Sequence, residues 1–296
     1  MENYVTAYEY EKNVNPILNP IPLFEKSIND CGYGITLIDF SYNVPFSSTT
    51  PNLLASFIKL DKNDVKILEN NEETNGTSHL FYILESTCTF LIDDVSFAVG
   101  HGDILITPLF NSIKITNTGE TDLQIYYVND SPLVNYLGNK PVRKIFKTAL
   151  YSHDFLINNL VALSDPDNNR KGILLSNKDT EKIGINTITP VLWALYNELP
   201  PNCVQKPHKH NSVALDLCIN CCDSENIFTL MGEELDENGD IMNPIKVNWK
   251  KGTMFITPPG LWHSHNNLGN TYAHIIPIQD AGLLLYQRIL GIVIEK

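Results

Sequence analysis

One seven-residue phrase occurs twice in this chain and limits its possible folds more sharply than anything else in it. Gly102-Asp-Ile-Leu-Ile-Thr-Pro108 is echoed by Gly252-Thr-Met-Phe-Ile-Thr-Pro258, and nine residues after each proline stands an asparagine, Asn117 and Asn267. Each copy reads as turn, short apolar strand, turn, strand, because glycine and proline bracket runs of aliphatic and β-branched residues. A unit used twice implies two copies of one small domain. The surrounding pattern agrees. LLASFIKL, HLFYILES and LQIYYVND in the first half, and SVALDLCIN, IFTLM and IKVNW in the second, are short apolar runs separated by turn residues. Such spacing predicts an all-β chain of sandwiches or barrels.

Between the two copies the period changes. Leu156, Leu160 and Leu163 recur at helical spacing, and Asp165-Pro166-Asp167-Asn168 stops the helix. The expected organisation is an irregular N-terminal arm over 1–50, a first barrel over 51–135, a linker with a helix over 136–180, and a second barrel over 181–296. The final GLLLYQRILGIVI fits a short helix and a strand. The arm is expected to pack across a partner subunit, giving a homo-oligomer, with a dimer the simplest case.

Charge narrows the partners. The net charge is −13 and no basic run is present, which argues against nucleic acid and against an anionic membrane surface. No apolar run reaches the roughly 18–20 residues of a membrane span. The opening MENYVTAYEYEKN lacks a basic segment followed by an apolar core, so no signal peptide is expected. Six cysteines in 296 residues do not suggest a disulfide framework, and a reducing, cytoplasmic setting is expected.

The histidines carry the chemistry. After the second phrase, Trp262, His263, Ser264 and His265 occupy a strand, and residues two apart point the same way. His208 and His210 repeat that spacing upstream. A lone histidine is more often a hydrogen-bonded core residue. Three or four imidazoles converging from two strands are a site for a divalent transition metal. If 208–222 runs extended without a bulge, His208 and His210 share a face with Ser212, Ala214, Asp216, Cys218 and Asn220. Val213, Leu215, Leu217 and Ile219 then form an apolar packing face. Asp216 beside a cation must be paired or hydrogen-bonded, either as a fourth ligand or against a cationic substrate group. Alternation sets Cys221 opposite Cys218 and Cys222, and no second pair completes a zinc site, so these read as small buried hydrophobes. Glu233, Glu234, Asp236, Glu237 and Asp240 read as a solvated loop insertion, since Cys222 to Gly252 is 30 residues against 16 from Ser86 to Gly102.

These residues resemble the cupin family, in its two-barrel (bicupin) form. Gly252, Pro258, Gly260, His263 and Asn267 match the second cupin motif, G-x5-P-x-G-x2-H-x3-N, at every fixed position. The first motif is H-x-H followed four or five positions later by an acidic residue, and here those positions are Ala214 and Leu215. Three histidines without that glutamate are similar to the gentisate 1,2-dioxygenase branch. So are His208-Lys-His210 followed by Ala214-Leu215, the run Trp262-His263-Ser-His265-Asn-Asn267, and the upstream Thr189-Pro190, Trp193 and Asn197.

The resemblance implies two tandem double-stranded β-helix (jelly-roll) barrels joined by a short helical linker. It implies metal ligands His208, His210 and His263, iron(II) as the metal with zinc, nickel or manganese as alternatives, and His265 as an acid/base residue. Trp193, Asn197, Asp216 and Cys218 would face a small hydroxylated, aromatic substrate, with O2 as co-substrate. The competing functions are a non-redox isomerase or lyase using the metal as a Lewis acid, and a non-catalytic metal- and ligand-binding bicupin.

Two departures bear on the substrate. Asp216 stands where the ring-cleaving enzymes carry an arginine for the substrate carboxylate, which favours a neutral phenol, an aminophenol or an amine. The metal motifs also lie in the C-terminal barrel. In the N-terminal barrel Ile113 stands at the motif histidine, Glu72–Asn75 occupy the H-x-H region, and His79 falls near the acidic position. That barrel is expected to fold, to pair with its twin and to bind no metal.

Overall fold

The computed structural model describes residues 4–163 and 169–295. The predicted helix stop at Asp165–Asn168 lies outside them. Two jelly-roll barrels follow one another, each built of two antiparallel sheets. In the first barrel Gly34–Ile38, Leu54–Leu60, Leu123–Asn129, His79–Glu85 and Ile104–Thr107 lie side by side, facing a second sheet of Val65–Glu69, Ser112–Asn117, Thr87–Ile92 and Val95–Gly100. The second barrel repeats this order with Lys171–Leu175, Trp193–Leu199, Ala273–Gln279, Ala214–Asn220 and Thr253–Thr257. Its other sheet holds Ile245–Asn248, Ile227–Gly232, Trp262–Asn267, His208–His210 and Ile292–Ile294. Among the described residues no helix is long and apolar enough to cross a membrane.

The repeated phrase does the same work twice. Gly102 and Gly252 both adopt positive φ, +85° and +75°, and their amides donate to Ile83 and Cys218 carbonyls at 2.9 and 2.8 Å. The two motif asparagines tie off the barrel ends. Asn117 Nδ2 donates to the Leu60 and Thr121 carbonyls, and Asn267 Nδ2 to those of Leu199 and Thr271. Both are buried, so each bond replaces water that cannot reach it.

The sheets depart from limits drawn at 51, 135 and 181. Glu25–Ser27, from the arm, pairs with Thr253–Phe255 of the second barrel. Ala149–Tyr151, from the linker, pairs with Ile104–Ile106 of the first. The two repeats therefore exchange equivalent edge strands, which covers two edges that would otherwise be open. Lys171–Leu175 also pairs with the strand Trp193–Leu199, so the second barrel begins inside the supposed linker. Short edge strands of this kind carry little periodic signal, which is why composition alone assigns them to connections. The rest of the arm, 4–20, has one helical turn, Tyr10–Asn13, and is exposed.

The linker helix is His153–Val161, capped by Ser152, with Leu156 and Leu160 buried. Its neighbours belong to the largest core, which lies between the barrels. Phe57, Tyr82, Ile104 and Tyr126 of one sheet meet Tyr196, Leu215, Leu217, Met254 and Ile276 of the other. The exposed acidic residues 233–240 occupy a twelve-residue hairpin loop, 233–244, where the first barrel turns in two residues, 93–94.

Just past the exchanged strand, the Ile28 amide donates to the Gly252 carbonyl at 2.9 Å. A Cβ there would lie 2.7 Å from Ile28 Cγ2, whereas one at Gly260, also at positive φ (+83°), meets nothing. Gly260→Ala is expected to cost about 1–2 kcal/mol of backbone strain, and Gly252→Ala more. Urea-unfolding midpoints of the two variants measure the difference, and equal losses would remove the Ile28 contact as its source.

Candidate metal centre

Histidines reach one point because three short segments converge. His208–His210 pairs with Trp262–Asn267 through His208 opposite His263, and with Ile292–Ile294 on its other side. The amide of Gly260 in the second motif donates to the His210 carbonyl at 2.8 Å, locking the loop onto that strand. The expected extended run over 208–222 is interrupted. Residues 211–213 carry the chain from one sheet of the barrel to the other, and the strand resumes at Ala214. Asp216 nevertheless faces inward, while Leu215, Leu217 and Ile219 face the twin barrel.

One ring nitrogen from each of His208, His210 and His263 lies within 4.8 Å of the others, the one such group of acidic, cysteine or histidine ligands among the described residues. Two of the rings are oriented by backbone carbonyls. His210 Nδ1 bonds the Ser212 carbonyl at 2.8 Å and His263 Nδ1 that of Leu261 at 3.0 Å. A carbonyl only accepts, so Nδ1 carries the proton and Nε2 keeps a free lone pair. Burial pushes the pKa of all three imidazoles down, and at His263 the neighbouring His210 and His265 add to it. Neutral imidazole is the form that binds a metal. The donor set fits a divalent transition metal with positions left open for other ligands.

His208 differs in one respect. Its Nδ1 lies 3.0 Å from Nη1 of Arg170, a group that can only donate. A metal on either nitrogen of His208 breaks this bond. On Nδ1 it takes the accepting lone pair, and on Nε2 it moves the ring proton to Nδ1, where it faces another donor. Arg170 also holds the Lys206 carbonyl. It stands just before the strand Lys171–Leu175, and no sequence motif pointed to it.

The triad opens on a cavity of about 180 Å³ lined by Arg170, Asn197, Gln205, Asp216, His265 and Gln279 as well as the three histidines. That is slightly more than the roughly 150 Å³ of a cavity that admits benzene. Of the residues expected to face a substrate, Asn197 and Asp216 line this space, but Trp193 and Cys218 do not. Trp193 is half-buried at the first residue of its strand. Cys218 shares the inward face with Asp216 but lies in the apolar part of the barrel with Leu199, Met231, Trp249 and Phe255. Gly172 lets the Asn197 carboxamide in, since a Cβ there would fall 1.9 Å from its Oδ1.

Asp216 is fully enclosed. Thr257 Oγ1 donates to its Oδ2 at 2.6 Å, and burial raises the carboxyl to about 7 despite that bond. His265 sits across from Thr229 on the neighbouring strand. The Thr229 hydroxyl accepts from the Trp249 indole at 2.8 Å and lies 2.8 Å from His265 Nδ1. Among the described residues the hydroxyl has no other acceptor for its own proton, so it gives that proton to Nδ1, which leaves the ring proton on Nε2. Burial, with Arg170 adding to it, holds the His265 pKa down to about 3.

The equivalent space in the first barrel is filled. Phe81 stacks on Tyr127 with ring centroids 4.3 Å apart, and Phe90, Phe110 and Ile113 close around them. His79 is buried there, bonded through Nδ1 to the Tyr127 hydroxyl at 2.8 Å, and burial lowers its pKa to about 3.

Two measurements test this geometry. Mass-spectrometric metal analysis of protein purified without oxygen should find about one divalent ion per chain, and far less in His210→Ala. Equal content in both would place the metal elsewhere. The second concerns Asp216, whose carboxyl is neutral to about pH 7 when folded but titrates near 3.8 when unfolded. A raised acid contributes its stability below the unfolded value and loses it as pH climbs through the folded one. In chelator-treated protein Asp216→Asn should therefore match wild type near pH 4 and be the more stable at pH 8, by at most about 4 kcal/mol at ~1.4 kcal/mol per pH unit. A pH-independent difference would mean the carboxylate is charged in the fold.

No protein-family profile matches the sequence, and no curated protein does. Solved structures do match. Salicylate 1,2-dioxygenase from Pseudaminobacter salicylatoxidans superposes with a TM-score of 0.72 at 11% identity, covering 95% of this chain and 91% of that one. The adduct of that enzyme with gentisate gives 0.71 at 11% identity over 96% and 88%. Vicilin from hazelnut, Corylus avellana, gives 0.53 at 11% identity over 87% and 83%. Enzyme and vicilin alike are two-barrel cupins, and this chain shares that fold.

Proposed function

We propose that this bicupin is a non-haem iron(II) dioxygenase that oxidises a small hydroxylated, aromatic substrate with O2. The observation that carries the reading is the triad of neutral imidazoles opening on a single-ring-sized cavity of mixed polar and apolar lining. His208, His210 and His263 would hold the metal. When bound, iron(II) supplies a centre at which substrate and O2 meet and from which electrons reach oxygen. The fold shared with salicylate 1,2-dioxygenase supports the same reading by analogy.

The chain's own groups bind and orient. Asn197, Gln205 and Gln279 offer donors and acceptors to ring substituents. Arg170 lines the cavity wall and carries a positive charge. This changes the substrate expectation drawn from Asp216 alone. Burial raises the Asp216 carboxyl to about 7 and Arg170 lines the same cavity, which weakens the repulsion of a carboxylate, so hydroxybenzoates join phenols and aminophenols as substrates to try. His265, with its proton on Nε2 and a low pKa, is a poor base and a good hydrogen-bond donor. Its role is to hold a proton against an oxygen that gains negative charge, as an oxyanion-hole donor does.

Oxygen uptake by anaerobically iron-loaded protein, across hydroxybenzoates, phenols and aminophenols, tests the assignment. Substrate-dependent uptake is expected. Turnover with zinc or nickel and no uptake would assign Lewis-acid chemistry instead. His265→Leu should lower kcat by about 10²–10³ with KM little changed, and His265→Gln should recover part of it by restoring an N–H donor. An unaffected kcat in His265→Leu would make this histidine structural.

A further inference from the structure

A bulge in the strand that floors the cavity brings two thiols together. Ala214–Asn220 keeps regular register with Ala273–Gln279 as far as Cys218 opposite Ile275, then shifts, so that Asn220 faces His274. Regular alternation would send Cys221 to the face opposite Cys218. The bulge undoes this, and both pack into one cluster with Cys203, Trp249 and Phe255. Their surroundings differ. Cys218 is fully buried, Cys221 is half-buried where the strand ends, and Cys222 is exposed.

The two thiols pack in one apolar cluster with Trp249, behind the metal centre. The neighbouring Cys218 thiol draws the Cys221 thiol below its ordinary pKa although burial opposes it, while burial drives Cys218 well up. Cys221 Sγ donates in turn to the Trp249 carbonyl at 3.3 Å. The indole of that tryptophan bonds Thr229, which bonds His265.

We propose that Cys218 and Cys221 form a redox-active dithiol which hydrogen peroxide converts to a reversible intrachain disulfide, a modification site separate from the metal centre. Cys221, the more accessible sulfur, attacks as thiolate. An S–O bond forms, the O–O bond breaks, and the departing hydroxide leaves as water after taking up a proton. The Cys218 sulfur then attacks the Cys221 sulfenic acid. The S–S bond forms, the S–O bond breaks, and a second water leaves. Two thiols are oxidised by two electrons and one peroxide is reduced to two waters. Disulfide formation removes the thiol proton that Cys221 shares with the Trp249 carbonyl, on the residue whose ring orients Thr229 and His265.

The test treats the full chain with hydrogen peroxide in the presence of a chelator, so that iron-catalysed oxidation does not contribute. Free thiols are then alkylated under denaturing conditions and mapped by mass spectrometry. Two of the six thiols should be lost, the peptide containing both residues should be lighter by two hydrogens, and dithiothreitol should restore it. Cys222→Ser should behave as wild type, and Cys218→Ser should accumulate a sulfenic acid on Cys221 that dimedone captures. Six alkylatable thiols after treatment would overturn the proposal. So would a bond between Cys221 and Cys222, an interchain bond through Cys222, or no dimedone adduct in Cys218→Ser.

Discussion

The strand Ala214–Asn220 has to satisfy two environments at once, and the other elements of the second barrel are arranged around that demand. Leu215, Leu217 and Ile219 are buried against the first barrel, in a core where Tyr82, Ile104 and Tyr126 meet them. Asp216 and Cys218 point the other way, into the barrel's own interior. A one-residue slip would bury the carboxylate between the sheets and expose three aliphatic side chains to the cavity. The apolar face therefore sets the register, and the register sets what stands beneath the histidines. The exchanged strands Glu25–Ser27 and Ala149–Tyr151 hold the two sheets together at their edges.

Comparison of the two barrels separates the structural part of the repeated motif from its chemical part. The left-handed glycine and the strand-tying asparagine occur in both, at Gly102 and Asn117 and again at Gly252 and Asn267, with matching hydrogen bonds. The position between them differs, Ile113 in one and His263 in the other. A barrel interior must be filled by side chains or be lined by polar groups that can use water or a ligand. The first barrel takes the former course with Phe81, Phe90 and Tyr127. The second takes the latter with its imidazoles, Asn197 and Gln279. Absence of the histidine trio thus accompanies closure of the whole space, and the first barrel becomes the surface on which the second is built.

Charge in the cavity is set by groups that lie far apart in the sequence. Burial pushes the imidazole pKa values down and raises that of Asp216 to about 7. Arg170 adds a cation from outside the repeated unit. Burial weakens the charge on Asp216, and Arg170 and Lys171, which belong to no motif, line the same cavity.

Fold class, the duplication and the convergence of His208, His210 and His263 were legible along the chain because each rests on a local rule. A period of two defines strands, glycine and proline mark their ends, and H-x-H sets two rings on one face. Asn197, Asp216 and His265 followed from the same alternation and from the family pattern. Trp193 and Cys218 did not fall on the cavity, since alternation gives the face of a strand but not how far along the barrel a side chain sits. Cys221 was placed on the wrong face because a bulge leaves no mark in composition. Edge strands of three residues are too short for a period, so the exchange between barrels was hidden in an arm and a linker. Local patterning was enough to specify two β-barrels and to bring three histidines together in one of them. Their surroundings came from the fold in three dimensions, because Arg170 and the Trp249–Thr229–His265 chain arise from contacts between segments, whose positions are set by packing rather than by spacing.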